Sequence, residues 1–140
     1  MKRLFIIPAL ILLTWTFLAG GTLDTLSQWR DFLSREGKNW RVTFQDTGRI
    51  RSLYGKSNQR FQESLIRQYD SLLGSNNVDE LRLLRKEVFD SGVEYVYQQH
   101  ISGIPVAGAE LHINVDRDSH LISINNSLNP GLQLKPGSIS

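Results

Sequence analysis

The chain has 140 residues, no cysteine, and 16 basic against 14 acidic residues. That length holds one domain and little else. The missing cysteine excludes disulfides, a thiol nucleophile and a lipoprotein anchor, so stability must come from an apolar core, which a chain of this size can build.

Lys2 and Arg3 precede a nearly unbroken apolar stretch from Leu4 to Ala19, closed by the small residues Ala19, Gly20 and Gly21. Basic, apolar, then small is the order of a secretory signal. Residues 1–21 are therefore expected to be a signal peptide cut after Gly21, and the protein to be secreted, periplasmic or extracellular. The stretch falls short of the roughly 20 residues that span a bilayer, so membrane attachment is expected only if Leu4–Ala19 stays uncleaved. Cleavage removes Lys2 and Arg3 and no acid, leaving 14 residues of each sign. A nucleic-acid partner calls for a surplus of Lys and Arg, and none remains.

Residues 22–39 read as a short N-terminal helix. Leu23, Leu26, Trp29 or Arg30, and Leu33 recur near the 3.6 period, and Gly37 supplies a stop. Trp40, Val42 and Phe44 then alternate with polar neighbours, Asp46-Thr47-Gly48 makes a turn, and Ile50 to Tyr54 returns, which predicts a β-hairpin. Asn58 to Leu73 reads as the main helix. Ser57 or Asn58 would cap it, Phe61, Leu65, Tyr69, Leu72 and Leu73 form its apolar stripe, and Gly74-Ser-Asn-Asn77 ends it.

After Asn77 the period becomes two. A basic strand from Leu81 to Phe89 meets an Asp90-Ser91-Gly92 turn. Val93, Tyr95, Tyr97, Gln99 and Ile101 are expected on one face of the next strand. Ala109, Leu111, Ile113 and Val115 share a face of the strand after it, with Glu110, His112, Asn114 and Asp116 outward. A turn at Asp116–Ser119, a closing strand from Leu121 to Ile124 and a loose tail over 133–140 complete the chain. Short alternating runs with tight turns predict an antiparallel meander whose apolar face needs a helical cover. The expected fold class is α+β: a curled antiparallel sheet packed on one main helix.

Between the fourth and fifth strands of this scheme stands Gln98-Gln99-His100-Ile101-Ser102-Gly103-Ile104-Pro105-Val106-Ala107-Gly108-Ala109. Gly103 lets the backbone turn, Pro105 fixes φ and biases Ile104 towards extended geometry, and Gly108 in a strand marks a bulge or a close approach. Gln98 and Gln99 carry donors and acceptors for a neighbouring loop or a partner. The block from Tyr97 to Leu111 resembles the core motif of the fungalysin/thermolysin propeptide domain, the prosegment of thermolysin-like and fungalysin-like zinc metallopeptidases. The likeness runs without gaps from Tyr97 to Asp116, with the hairpin and helix upstream in the expected order, and sets a propeptide-like domain over 40–132. It implies a cystatin-like sheet and helix, and a non-catalytic domain that assists folding of and/or inhibits a secreted zinc peptidase, here truncated or free-standing. The partner implied is the peptidase catalytic domain, in cis or in trans. Gln98, Gln99, Gly103, Ile104, Pro105, Val106, Gly108 and Ala109 become the candidate motif and partner-contact positions. The chain departs from the family pattern at Glu94 and Asn114, where His is common, at Val96 (Arg), at Ala107 (an aromatic), and at Ser119 and Asn126 (Gly).

Catalytic chemistry is not evident. A zinc peptidase needs His-Glu-x-x-His on a helix, and none of His100, His112 or His120 is followed by Glu. His112 and His120 across the hairpin beside Asp116 or Asp118 read as solvated strand histidines and a turn, so neither metal nor cofactor is expected. Asn125-Asn126-Ser127 fits a glycosylation sequon, relevant only in a eukaryotic secretory route. The competing expectation is an envelope protein-binding module, secreted or tethered, unrelated to proteolysis.

Overall fold

A computed structural model of the protein describes residues 23–46, 49–73 and 80–129. The expected signal peptide, the Gly74–Asn77 stop and the tail lie outside the described residues, and the Asp46–Gly48 turn lies largely so. The elements in chain order are α1 (Leu23–Glu36), β1 (Arg41–Phe44), β2 (Ile50–Tyr54), α2 (Ser64–Gln68), α3 (Asp70–Leu73), β3 (Leu81–Phe89), β4 (Gly92–Ile101), β5 (Ile104–Asp116) and β6 (Leu121–Asn126). All six strands form one antiparallel sheet in the order β1-β2-β6-β5-β4-β3. Among the described residues, no helix is long and apolar enough to cross a membrane.

One face of the sheet makes the core. Ile50, Leu53, Tyr97, Leu111, Ile113, Val115, Leu121 and Ile124 are buried there against Phe32 of α1 and Leu65, Ile66, Tyr69, Leu72 and Leu73 of the α2–α3 segment. Phe32 is its aromatic centre. It stacks on Trp29 at 5.4 Å between ring centroids and meets Trp40 and Tyr69 edge-on at 5.0 Å each, geometry that favours aromatic pairs beyond their area burial. The hairpin, the meander and the first helix stand where periodicity places them.

The main helix does not. Residues 58–62 are not helical, and the rest is two short turns rather than one rod. The donors that would open the helix are taken elsewhere. Ser57 Oγ accepts Gln59 N–H (3.0 Å), Asn58 N–H donates to Glu36 O (3.3 Å), and Phe61 N–H donates to Ser119 O (2.7 Å). Such local bonds compete directly with helix formation. Arg60 makes an isolated bridge with His120, and Phe61 leaves the predicted stripe to pack on Tyr95 at 5.4 Å. The longest described helix is α1.

The clamp between α1 and the α2–α3 segment is the Glu36 carboxylate, fully buried. It accepts hydrogen bonds from Ser57 Oγ, from Tyr69 Oη and from Gln59 Nε2 (2.8 Å), while its backbone oxygen takes the Trp40 indole N–H at 3.3 Å. Burial, then the bond to Glu36, push the Tyr69 phenol well above its ordinary value, so it stays a donor at every working pH. A buried carboxylate is tolerated only with such donors. Tyr69→Phe is expected to lower unfolding free energy by about 2 kcal/mol and Glu36→Ala by about 3 kcal/mol, since the latter strands several buried donors; urea unfolding with an unchanged m-value checks both.

Candidate functional site

The β4–β5 hairpin closes through Ser102 and Gly103, both left-handed at φ 49° and 80°, with Ile101 paired to Ile104. Two central residues with positive φ define the tight hairpin turn that matches strand twist. Beyond it the pairing is irregular. His100 faces Pro105 and Gln98 faces Glu110, so Gln99 alone stands opposite Val106 to Ala109. The chain loops out there through Gly108 at φ 73°, where an added side chain would meet nothing within 4 Å. The cost of replacing Gly108 is therefore conformational, about 1 kcal/mol.

Two residues after β6 hold this bulge. Ser127 Oγ donates to Gly108 O (3.0 Å) and accepts Glu110 N–H (3.1 Å), and Ser127 N–H donates to Glu110 O (2.9 Å). The Gln99 side chain does the same for Asn129: its Oε1 accepts Asn129 N–H at 2.8 Å and its Nε2 donates to Asn129 O at 3.0 Å. The amide thus imitates a strand neighbour and fixes the direction of the chain as it leaves the sheet.

The eight candidate positions sort accordingly. Gln99, Gly103 and Gly108 build the hairpin end, and Ala109 is buried (2% exposed) in the sheet. Gln98 and Val106 are half-buried, Pro105 is exposed, and Ile104 is 46% exposed at the tip. Leu81, which packs on the core, pairs with Gln99 as Leu83 pairs with Tyr97, so Gln99 keeps the face expected for it beside Val93, Tyr95 and Tyr97. Gln99→Ala is expected to raise hydrogen exchange at the Asn129 amide about tenfold, the worth of one lost bond, with β4 and β5 amides unchanged.

The face away from the helices carries a charged chain. His112 Nδ1 lies 3.0 Å from Glu94 Oε1 and its Nε2 lies 2.9 Å from Glu110 Oε2. Arg85 extends it, with Nη2 3.8 Å from Glu94 and Nε 2.8 Å from Glu87. An ionised carboxylate only accepts, so an imidazole bonded to two of them must carry both protons. Burial would push the His112 imidazole down, but the bonds to Glu94 and Glu110 outweigh it and hold the group above its usual value. Val96, between His112 and Arg85 in the register, is fully buried beneath this chain. Because the folded value is raised, the stabilisation is complete below the unfolded histidine value near 6.5 and is lost as pH rises through the higher folded one. Wild type should therefore exceed His112→Gln by about 1 kcal/mol in urea at pH ~6, with the gap closing in alkali; a gap that widens with pH would contradict the imidazolium.

Asp116, Asp118 and His120 bring ligand atoms within 4.8 Å of one another. Their geometry is that of a braced turn. Asp116 Oδ2 holds Lys56 Nζ at 2.9 Å, and its Oδ1 accepts the N–H groups of Asp118 and His120, both at 2.9 Å. The Lys56 ammonium, followed by the His120 N–H, holds the carboxyl down to about 2. A cation would have to displace Lys56. His112 and His120 engage different carboxylates, His120 Nδ1 standing 3.6 Å from Asp116 Oδ1. In the sequon, Asn125 Oδ1 accepts the Tyr54 hydroxyl at 2.9 Å and Asn126 is buried.

Residues 79–128 match the family model of the fungalysin/thermolysin propeptide motif. No curated protein and no solved structure matches the chain. The matched span contains β3 to β6, the bulge and the Ser127 stitch. The matched model describes a propeptide motif, not a catalytic domain. The hairpin β1–β2 and the helices fall before it.

Proposed function

We propose that the protein is a prosegment-type domain that binds a thermolysin-like or fungalysin-like zinc peptidase, holding it latent or helping it fold. The observation that carries this reading is the coincidence of the matched span with one structural unit: the four consecutive strands β3–β6, closed at one end by the Gly103 turn and the Gly108 bulge. In that unit the motif glutamine and glycines shape the hairpin end, leaving Ile104 and Pro105 free to meet a partner.

The wider reading is that residues 1–21 direct secretion, residues 40–132 form a cystatin-like module, and the peptidase is met in cis within a longer precursor or in trans by a free-standing domain. Its preformed sheet suits rigid surface burial, since little ordering remains to be done on binding. The test is hydrolysis of a peptide substrate by a thermolysin-like zinc peptidase with purified protein added. Slowing at about micromolar protein, or a higher yield of active peptidase when it is refolded beside the protein, is the expected result; neither effect would remove the reading.

A further inference from the structure

We propose that the outer edge of β3 is a docking edge for an extended acidic segment of a partner polypeptide, which would add to the sheet as a seventh strand. The sheet has two edges, and they differ. β1 is four residues long with half-buried Val42 and Phe44, whereas β3 runs for nine and pairs, among the described residues, only with β4. Leu83, Leu84, Val88 and Phe89 are 47%, 54%, 75% and 52% exposed, which places on β3 four of the six large apolar side chains left exposed among the described residues. Ile104, 46% exposed, adds to them at the hairpin tip, where Gly103 lies near Arg82. Edge strands are normally short, charged or covered because their free N–H and C=O groups recruit other strands. A long edge lined with apolar side chains is the surface that strand addition uses.

Charge selects the occupant. β3 carries Arg82, Arg85 and Lys86 against Glu87 alone. Arg85 is turned onto Glu87 and Glu94, and Lys86 sits over the Tyr95 ring at 5.3 Å. Arg82 has no ion pair among the described residues. A second copy of β3 laid alongside would set these cations against one another, and like charges across strands are unfavourable. A strand alternating apolar and acidic side chains meets both needs. The bulge leaves Leu84 without a cross-strand partner and its apolar side chain more than half exposed.

The edge is argued from β3 itself and rests on the prosegment reading only for which polypeptide supplies the strand, so the two are tested separately. The whole protein is titrated with a synthetic peptide of about ten alternating Val and Glu residues, the span of the strand, and with its Val and Lys counterpart. Shifts of the Leu81–Phe89 amide signals with the acidic peptide alone, weakened about tenfold in Arg82→Glu, are expected. No shift, or equal shifts with the basic peptide, overturns the inference. So does self-association of the wild type that Leu84→Lys abolishes, because it assigns the edge to a second copy. Both side chains are exposed, so unchanged thermal unfolding verifies the fold. Where the protein slows a zinc peptidase, Arg82→Glu must weaken that effect about tenfold; full inhibition by the variant overturns the docking edge and leaves the prosegment reading standing. Where the wild type does not slow the peptidase, that reading falls and the peptide titration decides the edge alone.

Discussion

A single buried carboxylate holds the helical layer to itself. Glu36 ends α1, where the helix dipole disfavours an anion, and it lies where no water reaches it. Three neutral donors from two later segments, Ser57, Gln59 and Tyr69, make that position tolerable. The consequence is topological. Ser57 and Gln59 can serve Glu36 only if the chain after β2 stays unwound, and Tyr69 only if the helical segment breaks at that residue, which it does with φ −106° and ψ 10°. The aromatic centre around Phe32 follows from the same fixing, because Trp40 and Tyr69 are both tied to Glu36 and both abut Phe32. Polar specificity and apolar packing are thus joined in one place.

At the other end of the molecule the same economy governs the hairpin. An unbulged β5 would pair residue for residue with β4 and leave Gln99 as one more side chain on a strand. The bulge across Val106 to Ala109 instead lets Gln99 grip Asn129, and it brings the Gly108 carbonyl within reach of Ser127. The bulge therefore ties this end of the hairpin to the segment that leaves the sheet.

Much of this was legible in the residues. Alternation in Leu111, Ile113 and Val115 reported a buried face because the pleat has period two, and all three are buried. The turn at Gly103 and a bulge at Gly108 were legible because left-handed backbone favours glycine. The Asn58–Leu73 segment departs from one helix for a physical reason: its apolar spacing is real, and Leu65, Ile66, Tyr69, Leu72 and Leu73 do reach the core, but donors of its first turn are claimed by Glu36 and Ser119, which are distant in sequence. The Gln99 grip and the Glu94–His112–Glu110 chain were hidden likewise, since each depends on which residues of neighbouring strands stand opposite one another, and that register is not written in either strand alone.

The departures from the propeptide pattern are not scattered once the register is known. Glu94 and Asn114, where His is common, are cross-strand partners, and Val96 faces His112 in the next position but one. These positions share the face away from the helices, so their changes act on one local charge pattern: a histidine flanked by carboxylates, with an arginine beyond. Asn126, at a position where Gly is common, donates to Ile50 O (3.0 Å) and Leu73 O (2.6 Å), bonds that a glycine has no side chain to make. Ser119 keeps the left-handed conformation that the position demands, at φ 66°, and accepts a strain of about 1 kcal/mol. The side chains at the loop and core positions thus hold the fold, while those on the outer face set what it presents. A partner that reads side chains on this face meets a histidine held between two carboxylates, whereas one that reads backbone at a strand edge meets groups that no side-chain change alters.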